Sequence, residues 1–188
     1  MEIFQIVCSD HGMETIRRIV DIGEELVAAG LKESADSCDV VVAPQGFSAL
    51  IHFSTQAQER VVDVAQWLFD QDFTGDILAG ERLAASGLPV DESLKLAVLM
   101  RYDSGANDFG VEGFCDATAN PVSIGTIQGC GQHGGWSPHE KRAFLFLQSP
   151  ETAPGEQDRP VCLLDIAPTV LRHLRLPCDD MDGKPLQG

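Results

Sequence analysis

Two short stretches of this sequence carry residue types that can bind a metal ion or move a proton. Residues 9–13 have the sequence SDHGM, and residues 131–140 have the sequence GQHGGWSPHE. Aspartate and neutral histidine are good ligands for divalent transition metals. Asp10 and His11 are therefore candidate metal ligands, and His133 is the candidate functional residue of the second stretch.

The place of the first stretch in the sequence favours a binding site. Residues 3–7 are continuously apolar, which is typical of a strand buried on both faces of a parallel sheet. Gly12 permits backbone angles that let the side chains of Asp10 and His11 converge. In open α/β sheets, ligands bind outside the carboxyl ends of the strands. An ordinary turn is the alternative interpretation of this Asp-His-Gly tripeptide.

His133 lies in a glycine-rich loop just before a predicted helix start. The sequence SPHE over residues 137–140 is a capping box with proline at the first helical position. Glycine neighbours bury a histidine poorly, so packing in a local core does not explain this residue well. A histidine of a surface loop is the alternative interpretation.

The rest of the chain alternates between predicted strands and helices. Apolar spacing predicts helices over residues 14–29 and 60–69, and a last helix over 167–174 with Asp165 as its N-cap. Apolar runs predict further strands over residues 39–43, 48–53, 94–100 and 143–147. Glycine, asparagine, aspartate, serine and threonine dominate residues 102–135, which predicts a long loop. This alternation predicts the α/β class and a single domain.

Composition and charge restrict the class of partner. Acidic residues outnumber basic ones by 29 to 13, so the formal net charge is −16. We expect no nucleic-acid binding, which needs a basic surface. An anionic substrate stays possible, because a bound divalent metal reverses the local potential. We also expect no membrane span, since no apolar stretch is long enough. The six cysteines form no C-x-x-C pair, which favours reduced thiols in a cytoplasmic protein.

Four motifs, taken in order, resemble the alkaline phosphatase superfamily and most closely its type I phosphodiesterase/nucleotide pyrophosphatase branch. They are SDHGM at 9–13, GQHGGWSPHE at 131–140, LDIAPTVL at 164–171 and MDGKPL at 181–186. The resemblance implies a three-layer α/β/α sandwich with a mostly parallel sheet and a binuclear metal site, usually of zinc. It implies that Asp10 and His11 bind one ion and that His133 completes the shell of the other.

The activity implied by the resemblance is metal-dependent hydrolysis of phosphate esters or phosphodiesters, with a small phosphorylated substrate. In such chemistry one metal lowers the pKa of the attacking hydroxyl, and the pair clamps the phosphoryl oxygens during an in-line displacement. A sulfatase or a phosphomutase of the same superfamily is the alternative within the enzyme interpretation.

The sequence also departs from the family pattern. Family members place a Thr or Ser nucleophile and further metal ligands before the SDHG segment, but only eight residues precede Ser9. We therefore expect residues 1–188 to be the C-terminal portion of a longer hydrolase domain, with a loop-rich insert at about 102–135. No catalytic residue is assigned. We expect weak or partial metal occupancy and little activity from this chain alone. A non-catalytic remnant or binding domain is the alternative.

Overall fold

The computed structural model describes residues 3–88, 91–119, 127–149, 154–156 and 160–187, which form two compact units. The larger unit is His11–Arg142, and the smaller unit combines Met1–Asp10 with Ala143–Gly188. The strands are β1 (Gln5–Cys8), β2 (Glu14–Val20), β3 (Val40–Pro44), β4 (Ser48–Phe53), β5 (Thr74–Ala79), β6 (Leu94–Met100), β7 (Tyr102–Ala106), β8 (Glu112–Thr118), β9 (Gly131–Gln132) and β10 (Leu145–Gln148). The α-helices are α1 (Ile22–Ala28), α2 (Val61–Phe69), α3 (Glu81–Ala85) and α4 (Ile166–His173).

The sheets are mostly antiparallel, so the predicted three-layer α/β/α sandwich with a mostly parallel sheet is wrong. The first sheet, of order β3-β4-β6-β5, is antiparallel throughout. The second sheet, of order β7-β8-β2-β9, has one parallel pairing, between β2 and β8. The physical reason for the error is that a strand covered on both faces has the same apolar composition in either kind of sheet.

The core of the larger unit joins α1 and α2 to the first sheet. Val64 and Leu68 of α2 are buried in the same cluster as Leu96 and Val98 of β6. Burying each such side chain stabilises the fold by about 1.5–3 kcal/mol. Helix α2 and strands β4 and β6 lie where the apolar patterns predict them, because each pattern is long and regular.

The predicted helix over residues 14–29 is instead strand β2 followed by helix α1. Four β-branched residues favour the strand, namely Thr15, Ile16, Ile19 and Val20. Helix α1 starts only at Asp21, whose carboxylate accepts a hydrogen bond from the backbone N–H of Glu24. The apolar spacing was therefore compatible with two structures, and the β-branched residues decided between them.

The predicted loop over residues 102–135 contains three strands, β7, β8 and β9. All residues of β7 are exposed, so this strand carries little of the apolar signal that identifies a strand. Strand β8 is mostly buried but contains Asp116 and Thr118, and these polar residues interrupt the apolar pattern that would identify a buried strand. The polar composition therefore predicted a loop where the chain forms most of the second sheet.

In the smaller unit, β1 pairs antiparallel with β10. Strand β1 is half-buried to exposed, so the prediction of a buried parallel strand over residues 3–7 is wrong. Helix α4 lies within one residue of its predicted position, but the side chain of Asp165 does not cap it. The carboxylate instead accepts hydrogen bonds from the backbone N–H groups of Cys162 and Lys184. Among the described residues, no helix has both the length and the apolar content needed to cross a membrane.

Candidate functional site

Two histidines that are far apart in the sequence lie side by side in the larger unit. The rings of His11 and His133 stack with their centroids 3.8 Å apart and their planes inclined by 26°. Asp10, the third predicted ligand, is exposed and ends the N-terminal segment of the smaller unit. Within the described ranges, no three or more His, Cys, Asp and Glu side chains are grouped so that they could hold a metal ion. The structure thus brings together two of the three candidate ligands in one unit.

A backbone contact orients the ring of His11. Its Nδ1 lies 2.7 Å from the carbonyl oxygen of Gly12. A carbonyl oxygen can only accept, so Nδ1 carries the proton and the lone pair of the neutral ring lies on Nε2. Metal-binding histidines commonly make such a bond through the nitrogen that does not face the metal. His11 is therefore held in a tautomer suited to metal binding through Nε2.

The loop of His133 packs backbone to backbone against the turn between β3 and β4. The backbone N–H of Phe47 donates to the carbonyl oxygen of His133 at 3.2 Å. Gly46 and Gly134 both have left-handed backbones, with φ of 76° and 105°. A Cβ on Gly134 would collide with the carbonyl oxygen of Gln45, and one on Gly46 would collide with that of His133. The glycine after His133 is thus required by this close approach.

Gly12 is required for a similar reason on the other side of the histidine pair. Its backbone N–H donates to the carbonyl oxygen of Glu140 at 2.6 Å. A Cβ on Gly12 would lie 2.7 Å from the carbonyl oxygens of His139 and Arg142. Close packing explains this glycine, which is not among the glycines with positive φ. The backbone of Gly12 and the segment that follows His133 therefore position each other.

Residues 137–140 form the predicted capping box, but the predicted helix does not follow. The Ser137 hydroxyl accepts from the backbone N–H groups of His139 and Glu140, at 3.1 and 3.3 Å. The Glu140 carboxylate accepts from the N–H of Ser137 at 3.2 Å and of Gly135 at 2.9 Å. These bonds close a single turn, which holds the end of the loop that carries His133.

A buried carboxyl group lies beside this turn. The side chain of Glu14 is only 1% exposed, and neither carboxylate oxygen has a hydrogen-bond partner of good geometry among the described residues. Burial raises the pKa of Glu14, and the Ser137 side chain opposes the shift. The charge of Glu140 raises this pKa further, while His139 lowers it. Sequence analysis missed Glu14 because it placed this residue in a helix.

An apolar cavity adjoins the loop that carries His133. Its volume is about 330 Å³, within the usual range for sites that bind small molecules. Its lining includes leucines of β4, β5 and β6 together with Gly134 and Trp136. The Trp136 ring is half exposed, and Nζ of Lys141 lies 5.0 Å from its centroid. This cavity offers room for an apolar group beside the loop.

Comparison with known proteins assigns no family to this chain. No protein-family model matches it, and no curated protein matches it. What the chain does must therefore be inferred from its own residues and their contacts.

Proposed function

We propose that this chain carries part of the metal site of a hydrolase that acts on phosphate esters or phosphodiesters. The observation that supports the proposal is the stacking of His11 on His133, since the two residues come from two of the four motifs that carry the family resemblance. Nitrogen ligands of this kind suit zinc. Asp10 stays a predicted third ligand through its place in the motif.

In the proposed metal site, contacts with neighbouring residues orient the two histidine ligands. The carbonyl oxygen of Gly12 accepts a hydrogen bond from Nδ1–H of His11, so a neutral His11 would bind a metal through Nε2. The backbone contact between Phe47 and His133 limits the movement of the second ring. When bound, a divalent metal lowers the pKa of an attacking hydroxyl and polarises phosphoryl oxygens. Acidification weakens metal binding, because only a neutral imidazole is a ligand.

The proposed substrate is a small phosphorylated molecule. With a net charge of −16, the chain repels anions in general, so bound metal is needed to make the site attractive to phosphate. The apolar cavity beside Trp136 supports a substrate with an organic group attached to the phosphate. All six cysteines are free thiols, which supports the cytoplasmic location that we propose.

Isothermal titration of zinc into the metal-free protein tests the metal site. We expect weak binding, and we expect His11→Ala to lower the affinity by about tenfold, because it removes a nitrogen ligand. We expect His133→Ala to change the affinity little, because the resemblance assigns His133 to the other ion. Tight binding that is lost in both variants would show that the two histidines share one metal ion instead. His52→Gln is the matched control, because His52 contacts the hydroxyl of Ser93 and takes no part in the pair. The same zinc affinity in all four proteins would contradict the proposal.

Cobalt(II) in place of zinc tests whether the site is one for phosphate chemistry. We expect inorganic phosphate to shift the visible absorption bands of the cobalt-loaded protein, because phosphate oxygens would enter the metal shell. No shift, together with normal metal binding, would favour the alternative of a non-catalytic binding domain. We expect no turnover of chromogenic phosphate mono- and diesters by this chain alone, since no residue matches the family nucleophile.

A further inference from the structure

Three arginines surround a second cavity of the larger unit. Arg17, Arg18 and Arg101 line this cavity of about 310 Å³ together with Asp72 and Asp103. They are three of only 13 basic residues in a chain with a net charge of −16. Arginines repel one another, and an acidic chain offers many carboxylates elsewhere. The three guanidinium groups are hydrogen-bond donors for an anion, which has to compete there with the carboxylates of Asp72 and Asp103.

An irregularity of strand β2 brings Arg17 and Arg18 to the same side. Consecutive residues of a regular strand point to opposite faces. Between Ile16 and Ile19, however, β2 takes one residue more than the facing part of β8. Such a bulge re-aims side chains and is common beside functional sites. As a result, both guanidinium groups reach the same carboxylate.

That carboxylate belongs to Asp116, which is completely buried on β8. It accepts hydrogen bonds from Nε and Nη2 of Arg17, at 2.7 and 2.9 Å, and from Nε of Arg18 at 3.1 Å. Bidentate pairing with a buried carboxylate fixes the plane of a guanidinium group. None of these bonds uses Nη1 of either arginine. Asp116 thus holds two guanidinium groups in place and leaves donors on each for a ligand.

Arg101 supplies the third guanidinium group, and Asp72 is the carboxylate that competes with a ligand. Among the described residues, Nη1 of Arg101 makes a single long contact, of 3.5 Å, to the carbonyl oxygen of Asp72. The Asp72 carboxylate accepts from Nη2 of Arg18 at 2.7 Å but is largely exposed. Exposed ion pairs of this kind contribute little and can be displaced. The Asp103 carboxylate accepts a hydrogen bond from the backbone N–H of Gly105 at 2.7 Å.

We propose that Arg17, Arg18 and Arg101 bind the phosphate group of a small molecule. Guanidinium groups match phosphate oxygens in bidentate geometry, and three of them around one cavity suit a tetrahedral dianion better than a planar carboxylate. The cavity is larger than a phosphate ion, so it also accommodates an organic group. This site includes neither His11 nor His133 and needs no metal, so it goes beyond the proposed hydrolase function.

Isothermal titration in the presence of EDTA tests this site with inorganic phosphate and with glycerol phosphate. We expect saturable binding of one molecule per chain. Arg101→Gln is expected to weaken it about tenfold, because a charge-assisted hydrogen bond is lost. Asp72→Asn is expected to strengthen it, because the competing carboxylate is removed. Arg82→Gln is the matched control, since Arg82 forms an exposed pair with Asp76 and does not line the cavity.

Arg101→Gln is expected to weaken phosphate binding and Asp72→Asn to strengthen it. These opposite changes in affinity distinguish a specific site from general attraction of phosphate to arginine. Tighter binding of glycerol phosphate would identify a phosphate ester as the ligand, and tighter binding of inorganic phosphate would identify the free ion. Arg101 and Asp72 are exposed, so both variants are expected to fold. No saturable binding, or equal weakening by Arg101→Gln and Arg82→Gln, would overturn the proposal. Either failure would leave the zinc titration of the histidine pair unaffected.

Discussion

Two carboxyl groups are buried in the second sheet of the larger unit, and their surroundings differ. Asp116 on β8 is 0% exposed and pairs with Arg17 and Arg18. Glu14 on β2 is 1% exposed, and its carboxylate oxygens have no hydrogen-bonded cation among the described residues. Burying a charge is costly unless it is paired and hydrogen-bonded. The sheet meets this cost at Asp116 by ion pairing and at Glu14 by a raised pKa, which favours the neutral form.

The comparison teaches that neighbouring strands can build two different chemical environments. The bulge in β2 directs two arginines to Asp116 and so surrounds this carboxylate with guanidinium groups. Glu14 is the first residue of β2, opposite Gln132 of β9, and none of the described arginines is hydrogen-bonded to it. Asp116 is therefore buried with two cations, whereas Glu14 is buried without one and its pKa is raised. Four variants test this distinction.

Removal of both arginines should have the largest effect. Arg17→Met combined with Arg18→Met leaves the Asp116 charge buried without a cation. We expect the free energy of unfolding to fall by about 3–5 kcal/mol, the usual cost of breaking a buried ion pair from one side. Urea denaturation at neutral pH measures the change. A loss of less than about 1 kcal/mol would mean that Asp116 finds another partner or water. The two arginines would then not be what stabilises the buried Asp116, and the contrast with Glu14 would be wrong.

Removal of the Asp116 charge should cost less. In Asp116→Asn the two arginines lose their carboxylate, but their side chains are 37% and 42% exposed and can turn towards water. We expect a loss of about 2 kcal/mol, because solvent partly replaces the lost bonds. The same urea experiment applies. A larger loss than in the double arginine variant would show that the arginines, rather than the carboxylate, bear the cost of burial.

Neutralisation of Glu14 should be stabilising at neutral pH. The folded state raises the pKa of Glu14 above its ordinary value of 4.5. Glu14 therefore supports the fold fully below that value, and this contribution is lost as the pH rises through the raised pKa. Glu14→Gln should remove this decline and raise the free energy of unfolding by about 1 kcal/mol at neutral pH.

Urea denaturation at a series of pH values from about 4 to 8 measures the effect of Glu14→Gln. Glu112→Gln is the matched control, because Glu112 is an exposed acid at the start of β8. Parallel pH curves for the wild type and Glu14→Gln would show that the carboxyl group is solvated in the folded state.

Substitution of Asp72 should have the smallest effect on stability. Its side chain is 74% exposed, and its pair with Arg18 is screened by water. We expect Asp72→Asn to leave the urea midpoint unchanged while it strengthens phosphate binding. A clear loss of stability would show that Asp72, like Asp116, is a structural member of the arginine cluster.

Local patterns account for the parts of the structure that could be predicted from sequence. Helix α2 and strand β4 have regularly spaced apolar residues, and β6 is an apolar run. Such patterns can be recognised within a few residues of sequence, without knowing which element packs against them. The capping box over residues 137–140 forms as predicted, because its hydrogen bonds join residues only three apart. The helix after the box does not form, because no packed apolar face follows to stabilise it.

The histidine pair could be predicted from the sequence only in part. Residue type and the neighbouring glycines singled out His11 and His133, and the structure brings their rings together. The stacking itself depends on close backbone approaches, such as that of Gly46 to His133, between segments far apart in the sequence. The metal-binding role of Asp10, His11 and His133 stays a prediction.

The sequence by itself determined the residue types available for chemistry, the strong acidity of the chain and the elements with a clear local period. Only the tertiary structure decided that the sheets are mostly antiparallel, that Glu14 is buried and that Arg17 and Arg18 meet Asp116. The physical reason is that strand pairing and bulges arise from contacts between residues about 100 positions apart, as between Arg17 and Asp116. Side-chain periodicity reports which face of an element is apolar, but it does not report which partner covers that face.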